Sequence, residues 1–312
     1  VPFLFDRETK SSPSSFELLF LLDGIRYRYG ISLTEDEIYE ESLSFAPNGR
    51  TVFLFRRTKD KEIWFHPHLV TMDDVKLISK RNLRNKPIVT FAMQFDIPFL
   101  KDVYRFFAEK LVFLSSFGYA NEQGIGKLLE SNPQYHDFLK SLLKASDLNI
   151  DDIGFVKKKG KIVVQNNGIN NAQPLFSLQD QDVYHVVSTH RIHGIDYPLP
   201  IVDESIGTQK IMALSGNLFD VLNQGKVLVY DEFGSSLHPL LSSFVLSLFF
   251  DDSINTKHSQ LFFNTQEISL LNEQLLRRDQ IYLTEKDRES GSTIISCLKD
   301  YAVRKNENIE NG

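Results

Sequence analysis

The stretch VLVYDEFGSSLHP, Val227–Pro239, runs a row of apolar-type residues straight into Asp231 and Glu232, and then into a turn of small residues. Apolar residues at successive positions predict a strand buried on both faces, as in the centre of a parallel sheet. The two acids then fall at the carboxyl end of that strand, where open α/β sheets bind their ligands. One carboxylate in that place suits Mg²⁺, which prefers oxygen ligands and keeps part of its water shell. A neighbour pointing differently suits a base that orients an attacking water and accepts its proton. Asp231 is therefore the candidate metal ligand and Glu232 the candidate base. Alone, an apolar run followed by two acids is unspecific; its neighbours decide the reading.

Three neighbours bear on it. Upstream, ESIGTQK (Glu204–Lys210) precedes a helix expected over about 208–222. Ser205, Gly207 and Thr208 would place a hydroxyl and open backbone N–H groups at that helix start, which suits either an anion or ordinary capping. GSSLHP, with Ser236 at its centre, is a tight polar turn directly after the acids. Leu261–Glu267, LFFNTQE, is a second apolar strand ending in Asn264, Thr265 and Gln266, where a γ-phosphate sensor would stand. The phosphate-cradling pattern GxxxxGK[ST] does not occur in the 312 residues. Gly124-Ile125-Gly126-Lys127 imitates it, but Asn121 stands where the first glycine belongs and no Ser or Thr follows the lysine.

Outward from this stretch, FELLFLLDGIRYRYGIS (Phe16–Ser32) is two β-rich runs around Asp23-Gly24, a hairpin signal. With a strand over Ile38–Phe45 and a Pro47-Asn48-Gly49 turn into Thr51–Arg56, it predicts an antiparallel meander. Apolar spacings of three and four then predict helices over 74–80, 97–114 and 134–145. The aromatic stripe Val103, Phe106, Phe107 reads as core packing. Strands are expected over 154–164 and 183–193, with Lys157–Lys159 at a solvated hairpin tip. From Glu204 onward helices and strands alternate: helix 240–250, strand 260–263, helix 268–276, strands 280–284 and 292–298. The fold class expected is α/β, divided into an antiparallel β part (1–70), a helical insert (71–150), a β return (151–200) and a mostly parallel α/β lobe (201–312).

Net charge is −6, so no broad basic surface argues for nucleic acid. A single cysteine, Cys297, excludes an internal disulfide and fits a reducing cytoplasm. No segment approaches the ~18 uninterrupted apolar residues of a membrane span. The opening VPFLFDRETK has neither a starting Met nor a signal-type core, and the chain is expected to begin part-way through a longer protein. His66-Pro67-His68 and His190…His193 show no Cys or acidic partner at ligand spacing and are expected to be structural. Arg277-Arg278 is expected at a helix C-terminus.

In order and spacing, the small-residue helix start, the strand with two acids, the small turn and the strand with a polar end resemble an ABC-type ATPase head. The C-terminal third is similar to the SMC-like and RecF-like branch. More closely it resembles the prokaryotic AAA family ATPases of anti-phage defence, such as those of the Septu and PARIS systems and the overcoming-lysogenisation-defect group. The resemblance implies a P-loop NTPase-like head that uses ATP and Mg²⁺. It makes ESIGTQK a degenerate signature motif (Ser205, Gly207, Thr208), VLVYDE the Walker B motif (Asp231, Glu232), GSSLHP the D-loop (Ser236) and FFNTQE the switch segment (Gln266).

In two respects the chain departs from the family. Gln266 stands where the family usually has a histidine; glutamine can donate a hydrogen bond to phosphate but cannot become cationic, which implies slow turnover or a site tuned for binding. The missing Walker A motif is implied to precede Val1. Further implications are a head-to-head homo-oligomer, a separate effector nuclease or toxin, a phage protein as trigger, and a cytoplasmic setting without membrane. Nucleic acid stays open. A DNA-repair or chromosome-maintenance head that clamps DNA, and a catalytically decayed scaffold, are the alternatives.

Overall fold

Asp23 and Gly24 both take positive φ, 49° and 77°, as a two-residue hairpin turn with right-handed strand twist requires. They join β1 (Ser14–Leu22) to β2 (Ile25–Leu33), with Leu22 opposite Ile25. Gly49, at φ 78°, turns β3 (Ile38–Ala46) towards β4 (Val52–Thr58), and β5 (Trp64–Phe65) completes the antiparallel order β1-β2-β3-β4-β5. The expected meander is present. The computed structural model describes residues 3–301 except 5, 7, 81–83, 96, 116–119, 147–148, 167–174, 236 and 272–274.

Contacts divide the chain into two units, residues 1–111 with 282–298, and residues 112–281 with 299–312. The boundaries expected at 70, 150 and 200 separate stretches by element type, whereas the contacts cut through the helical stretch at 111.

In the first unit, alternate residues of the sheet (Phe20, Tyr29, Leu43, Phe55) bury against α1 (Met72–Ser79), α2 (Phe91–Phe95) and α3 (Pro98–Arg105). The aromatic stripe is core, as expected: Phe106 stacks on Phe20 at 4.1 Å, and Phe107 meets Tyr29 edge-on at 5.4 Å. Glu41 on β3 is buried and accepts from Ile88 N at 2.7 Å and from Tyr29 Oη at 3.0 Å, with Arg57 Nη1 3.5 Å away. Arg57 also donates to the Lys86 carbonyl at 3.1 Å, so a buried acid and base pin the 84–88 segment to the sheet.

The helix expected over 97–114 ends early. After α3 the chain widens into a π-turn over Phe106–Lys110 and becomes extended as β6 (Leu111–Leu114). LVFL is a short apolar run whose periodicity fits helix and strand alike; the backbone partner offered by a neighbouring strand decides for the strand.

The second unit holds α4 (Glu122–Ser131), α5 (Pro133–Ala145), the antiparallel strands β7 (Asp152–Asn166), β8 (Leu175–Ile192) and β9 (Ile195–Pro200), then α6 (Ile206–Gln224), β10 (Val227–Tyr230), α7 (Pro239–Ser247) and β11 (Gln260–Phe263). β10 lies between β11 and β6 and pairs with β11 in parallel, Val227 opposite Gln260 and Tyr230 opposite Phe263. Leu228 and Tyr230 are buried in one core with Leu214, Leu218 and Val221 of α6 and Val245 of α7. The reading of 227–230 as a central strand is borne out, but only one face, Leu228 and Tyr230, is fully buried; Val227 and Val229 on the other face are half-buried.

GIGK, read as only imitating the phosphate pattern, lies inside α4, where a methyl group at Gly126 would sit 2.4 Å from Tyr184 Cβ, so that glycine serves helix packing. Elsewhere the second unit corrects expectation. Lys157–Lys159 sits within β7 and not at a tip, and is paired with acids: Lys157 Nζ lies 2.8 Å from Glu130 and 3.0 Å from Asp182. The last two strands, β12 (Tyr282–Lys286) and β13 (Thr293–Cys297), form an antiparallel hairpin that groups with the first unit, so the 201–312 stretch is not one mostly parallel lobe. Among described residues, only Ile268–Leu270 of the expected 268–276 helix is helical, and Arg277 opens a 3₁₀ turn instead of closing a helix.

Candidate active site

β10 ends at buried Tyr230, and the chain then turns over residues 231–235. Phe233 anchors this turn: it is 1% exposed and packs 5.4 Å from Tyr230 and 4.9 Å from Phe263. With the phenyl ring held in the core, Asp231 and Glu232 just before it are exposed at the sheet's carboxyl edge. Asp231 N donates to the Leu114 carbonyl of β6 at 2.8 Å, which fixes the start of the turn. Glu232 takes φ 60°, a left-handed conformation that costs a side-chain-bearing residue about 1–2 kcal/mol. Such strain persists only where the surroundings enforce it.

Here the enforcing residue is Asn264, which follows β11. Its Oδ1 accepts from Glu232 N at 2.6 Å, and its Nδ2 donates to Asp231 Oδ1 at 2.6 Å. The backbone adds Phe233 N to the Asn264 carbonyl at 2.9 Å, and Thr265 Oγ1 donates to the Phe233 carbonyl at 2.7 Å. The ends of two parallel strands are thereby tied together, and one amide spans both acids. Gln266 is exposed on the same segment, two residues beyond Asn264.

Ser205 caps α6. Its Oγ accepts from Thr208 N at 3.1 Å and lies 2.8 Å from Thr208 Oγ1. Thr208 is only 2% exposed, so its hydroxyl faces its capping partner, while Gly207 is half-buried with only Ser205 Oγ near its open side. Glu204, just before the cap, accepts from His190 Nε2 at 2.7 Å and from Ser188 Oγ. Sequence spacing offered His190 no acidic partner; the fold supplies Glu204. Among the described residues no hydrogen bond joins this corner to the acids at 231–232, and Ser236 lies outside the described residues.

The structure thus brings Asp231 and Glu232 together, with Gln266 on the adjoining segment, and sets Ser205, Gly207 and Thr208 at a separate helix start. Asn264 and Glu204 carry interactions that spacing did not single out. The signal for Asn264 was its place: a polar residue ending the strand beside the one that bears the acids.

The family described as "AAA domain, putative AbiEii toxin, Type IV TA system" matches residues 1–272. The chain belongs to that family. The match spans the meander, both sets of helices, β10 and β11. No curated protein matches the chain. Membership makes this AAA-domain protein one of the nucleotide-binding P-loop ATPases, for which nucleotide and Mg²⁺ are the general requirement. None of its described helices is long and apolar enough to cross a membrane.

The acid pair of this AAA-domain chain fits Mg²⁺. Among described residues, no cluster of three His, Cys, Asp or Glu forms a complete protein cage. Mg²⁺ does not need one, since it is commonly held by one or two carboxylates together with water and substrate phosphates. Asp231 is exposed with one oxygen engaged by Asn264, and no described residue bonds Oδ2.

Proposed function

We propose that the chain carries the Walker B acids of an ABC-type ATPase that binds ATP·Mg²⁺ and hydrolyses it. The observation carrying this reading is the exposed acid pair, its Glu232 at positive φ, that Asn264 clamps at the carboxyl end of a central parallel strand. Asp231 would hold the metal, its carboxylate oriented by Asn264. Bound Mg²⁺ supplies charge neutralisation on the phosphate oxygens. Glu232, whose backbone is held by its own N–H, orients the attacking water and takes its proton. Gln266 donates a hydrogen bond to the γ-phosphate without adding positive charge, which keeps turnover slow.

Ser205 and the amides at the start of α6 complete the site of a second copy, with Gly207 leaving room for close backbone approach. ATP then bridges two heads, and loss of the γ-phosphate removes contacts that exist only in the assembled state. In this reading the protein is a cytoplasmic, homo-oligomeric sensor in anti-phage defence. A phage protein is its trigger and a separate nuclease or toxin its effector; the family description, which names a toxin–antitoxin system, is compatible with that setting.

Glu232→Gln in the full-length protein tests the reading. It should lower ATP turnover by 100-fold or more, on the order expected when a positioned base is lost, and should accumulate the ATP-bound assembled form on a sizing column. Turnover and assembly equal to the unmutated protein would remove Glu232 from the chemistry. Absent turnover and absent ATP binding in the unmutated protein would leave a decayed scaffold.

A further inference from the structure

We infer that Asn264 is a positioning residue of this site, and that its amide, through its direction of hydrogen bonding, holds the candidate base in place and orients the Asp231 carboxylate. The inference rests on the hydrolytic reading of Asp231 and Glu232.

Three observations carry it. First, Glu232 stands at φ 60°, where a glutamate does not settle unaided. Second, the one bond that the Glu232 N–H makes goes to Asn264 Oδ1, at 2.6 Å. Third, the same amide donates from Nδ2 to Asp231 Oδ1 at 2.6 Å, so acceptor and donor are used on adjacent residues at once. An amide is the side chain that fits: a carboxylate has no donor for Asp231, and a lone hydroxyl cannot span both partners at these distances. Main-chain bonds from Phe233 N to the Asn264 carbonyl and from Asn264 N to the Tyr230 carbonyl (3.3 Å) hold the residue itself in register. With Oδ1 held by Asn264, Asp231 would present Oδ2, which no described residue bonds, to a metal ion. The base and the metal ligand thus share one orienting group.

The direction of the bonds provides a signature that a merely structural role would lack. Asn264→Asp has nearly the same shape and keeps an acceptor for the Glu232 N–H, but it has no donor for Asp231 when ionised. Asn264→Ala removes both bonds. A side chain that only filled space would be replaced by the carboxylate of equal size with little loss.

The experiment measures kcat and KM for ATP at saturating Mg²⁺ in full-length protein, for both variants beside the parent, together with the rise in melting temperature that Mg²⁺ and a non-hydrolysable ATP analogue produce. Melting curves confirm that each is folded. The expected result is a loss of kcat on the order of 10- to 100-fold, the scale of a misplaced catalytic group, with KM little changed. Asn264→Asp should lose kcat on the same scale as Asn264→Ala, and Asn264→Ala should keep the parent's melting shift with the analogue, so that the loss lies in kcat and not in binding. A parental kcat in either variant, or loss of that melting shift in Asn264→Ala, overturns the inference. Glu232→Gln run alongside separates the two levels. If that variant turns over like the parent, the hydrolytic reading itself fails; if it is arrested while both Asn264 variants are unaffected, only the positioning role fails.

Discussion

A methyl group placed on Gly234 would lie 2.1 Å from Glu267 Oε2 and 3.1 Å from Ser242 Oγ. Gly234 is also at φ 85°, where only glycine is unstrained, so two separate constraints meet at the turn that follows the acids. The consequence is mechanical: the turn from β10 and the segment after β11 close onto each other with no room between them. Gly234→Ala is expected to destabilise the second unit by at least about 2 kcal/mol, from backbone strain and overpacking together. Adding Glu267→Ala should recover the steric part and leave the conformational part. Urea unfolding of the two single variants and the double variant would show this as non-additivity. Strict additivity would mean that the Glu267 carboxylate moves aside freely.

A second prediction concerns Glu41, far from the acids in sequence. Burial pushes its carboxyl up to about 7, against the opposing pull of the Ile88 N–H, Tyr29 and Arg57. The folded chain therefore holds the proton more tightly than the unfolded chain, whose value is near 4.5. The favourable contribution is complete below about 4.5 and is lost as pH rises through about 7. Glu41→Gln removes that linkage while keeping an acceptor for Ile88 N. The variant should gain on the parent as pH increases from 5 to 8, by an amount on the order of 3 kcal/mol at most. Denaturant unfolding at the two pH values measures the change in the difference; an unchanged difference would mean that Glu41 titrates alike in both states.

Much of the architecture was legible because its causes are local. Asp23-Gly24 and Gly49 permit positive φ, and the runs beside them alternate, so register follows from turn chemistry. Val227–Tyr230 was legible because a central strand, buried on one face and half-buried on the other, has little polar surface to show. What failed was non-local. LVFL continues a helical spacing, and only a strand partner distant in sequence makes it β6. α4 was hidden by two glycines that weaken a helical pattern, one of which is there because Tyr184 leaves no space for a side chain. Asn264 reaches Asp231 and Glu232 across more than thirty residues through parallel pairing, and spacing along the chain does not display such a contact.

The Glu204–His190 pair gives a third prediction. The two side chains meet at 2.7 Å and are largely buried, with exposures of 7% and 19%. The other ring nitrogen of His190 lies 2.8 Å from the Asn149 carbonyl, so both ring nitrogens face acceptors. Glu204 also takes the Ser188 hydroxyl, and its own carbonyl accepts from Gln209 Nε2 at 3.0 Å. The residue before the cap of α6 is thereby tied to β8. Glu204→Ala and His190→Ala should each loosen the helix start, and a double-mutant cycle should return a coupling of about 1–3 kcal/mol. A coupling near zero would mean that the pair is incidental to the placement of that corner.

The fourth prediction separates capping from assembly at Ser205. Its hydroxyl closes the first turn of a 19-residue helix through Thr208 N, a cap whose loss to alanine costs about 1 kcal/mol. Glycine is itself a good cap residue, so Ser205→Gly should cost only a few tenths of a kcal/mol. If the hydroxyl served the cap alone, Ser205→Gly would behave as the parent in every respect. If it also meets the nucleotide of a second copy, Ser205→Gly should melt close to the parent, yet form the ATP-dependent assembly only at about tenfold higher protein concentration, as the loss of one charge-assisted hydrogen bond implies. Light scattering against protein concentration, with and without ATP, measures both quantities on one preparation. Parental assembly in Ser205→Gly would confine Ser205 to its helix and remove it from the composite site.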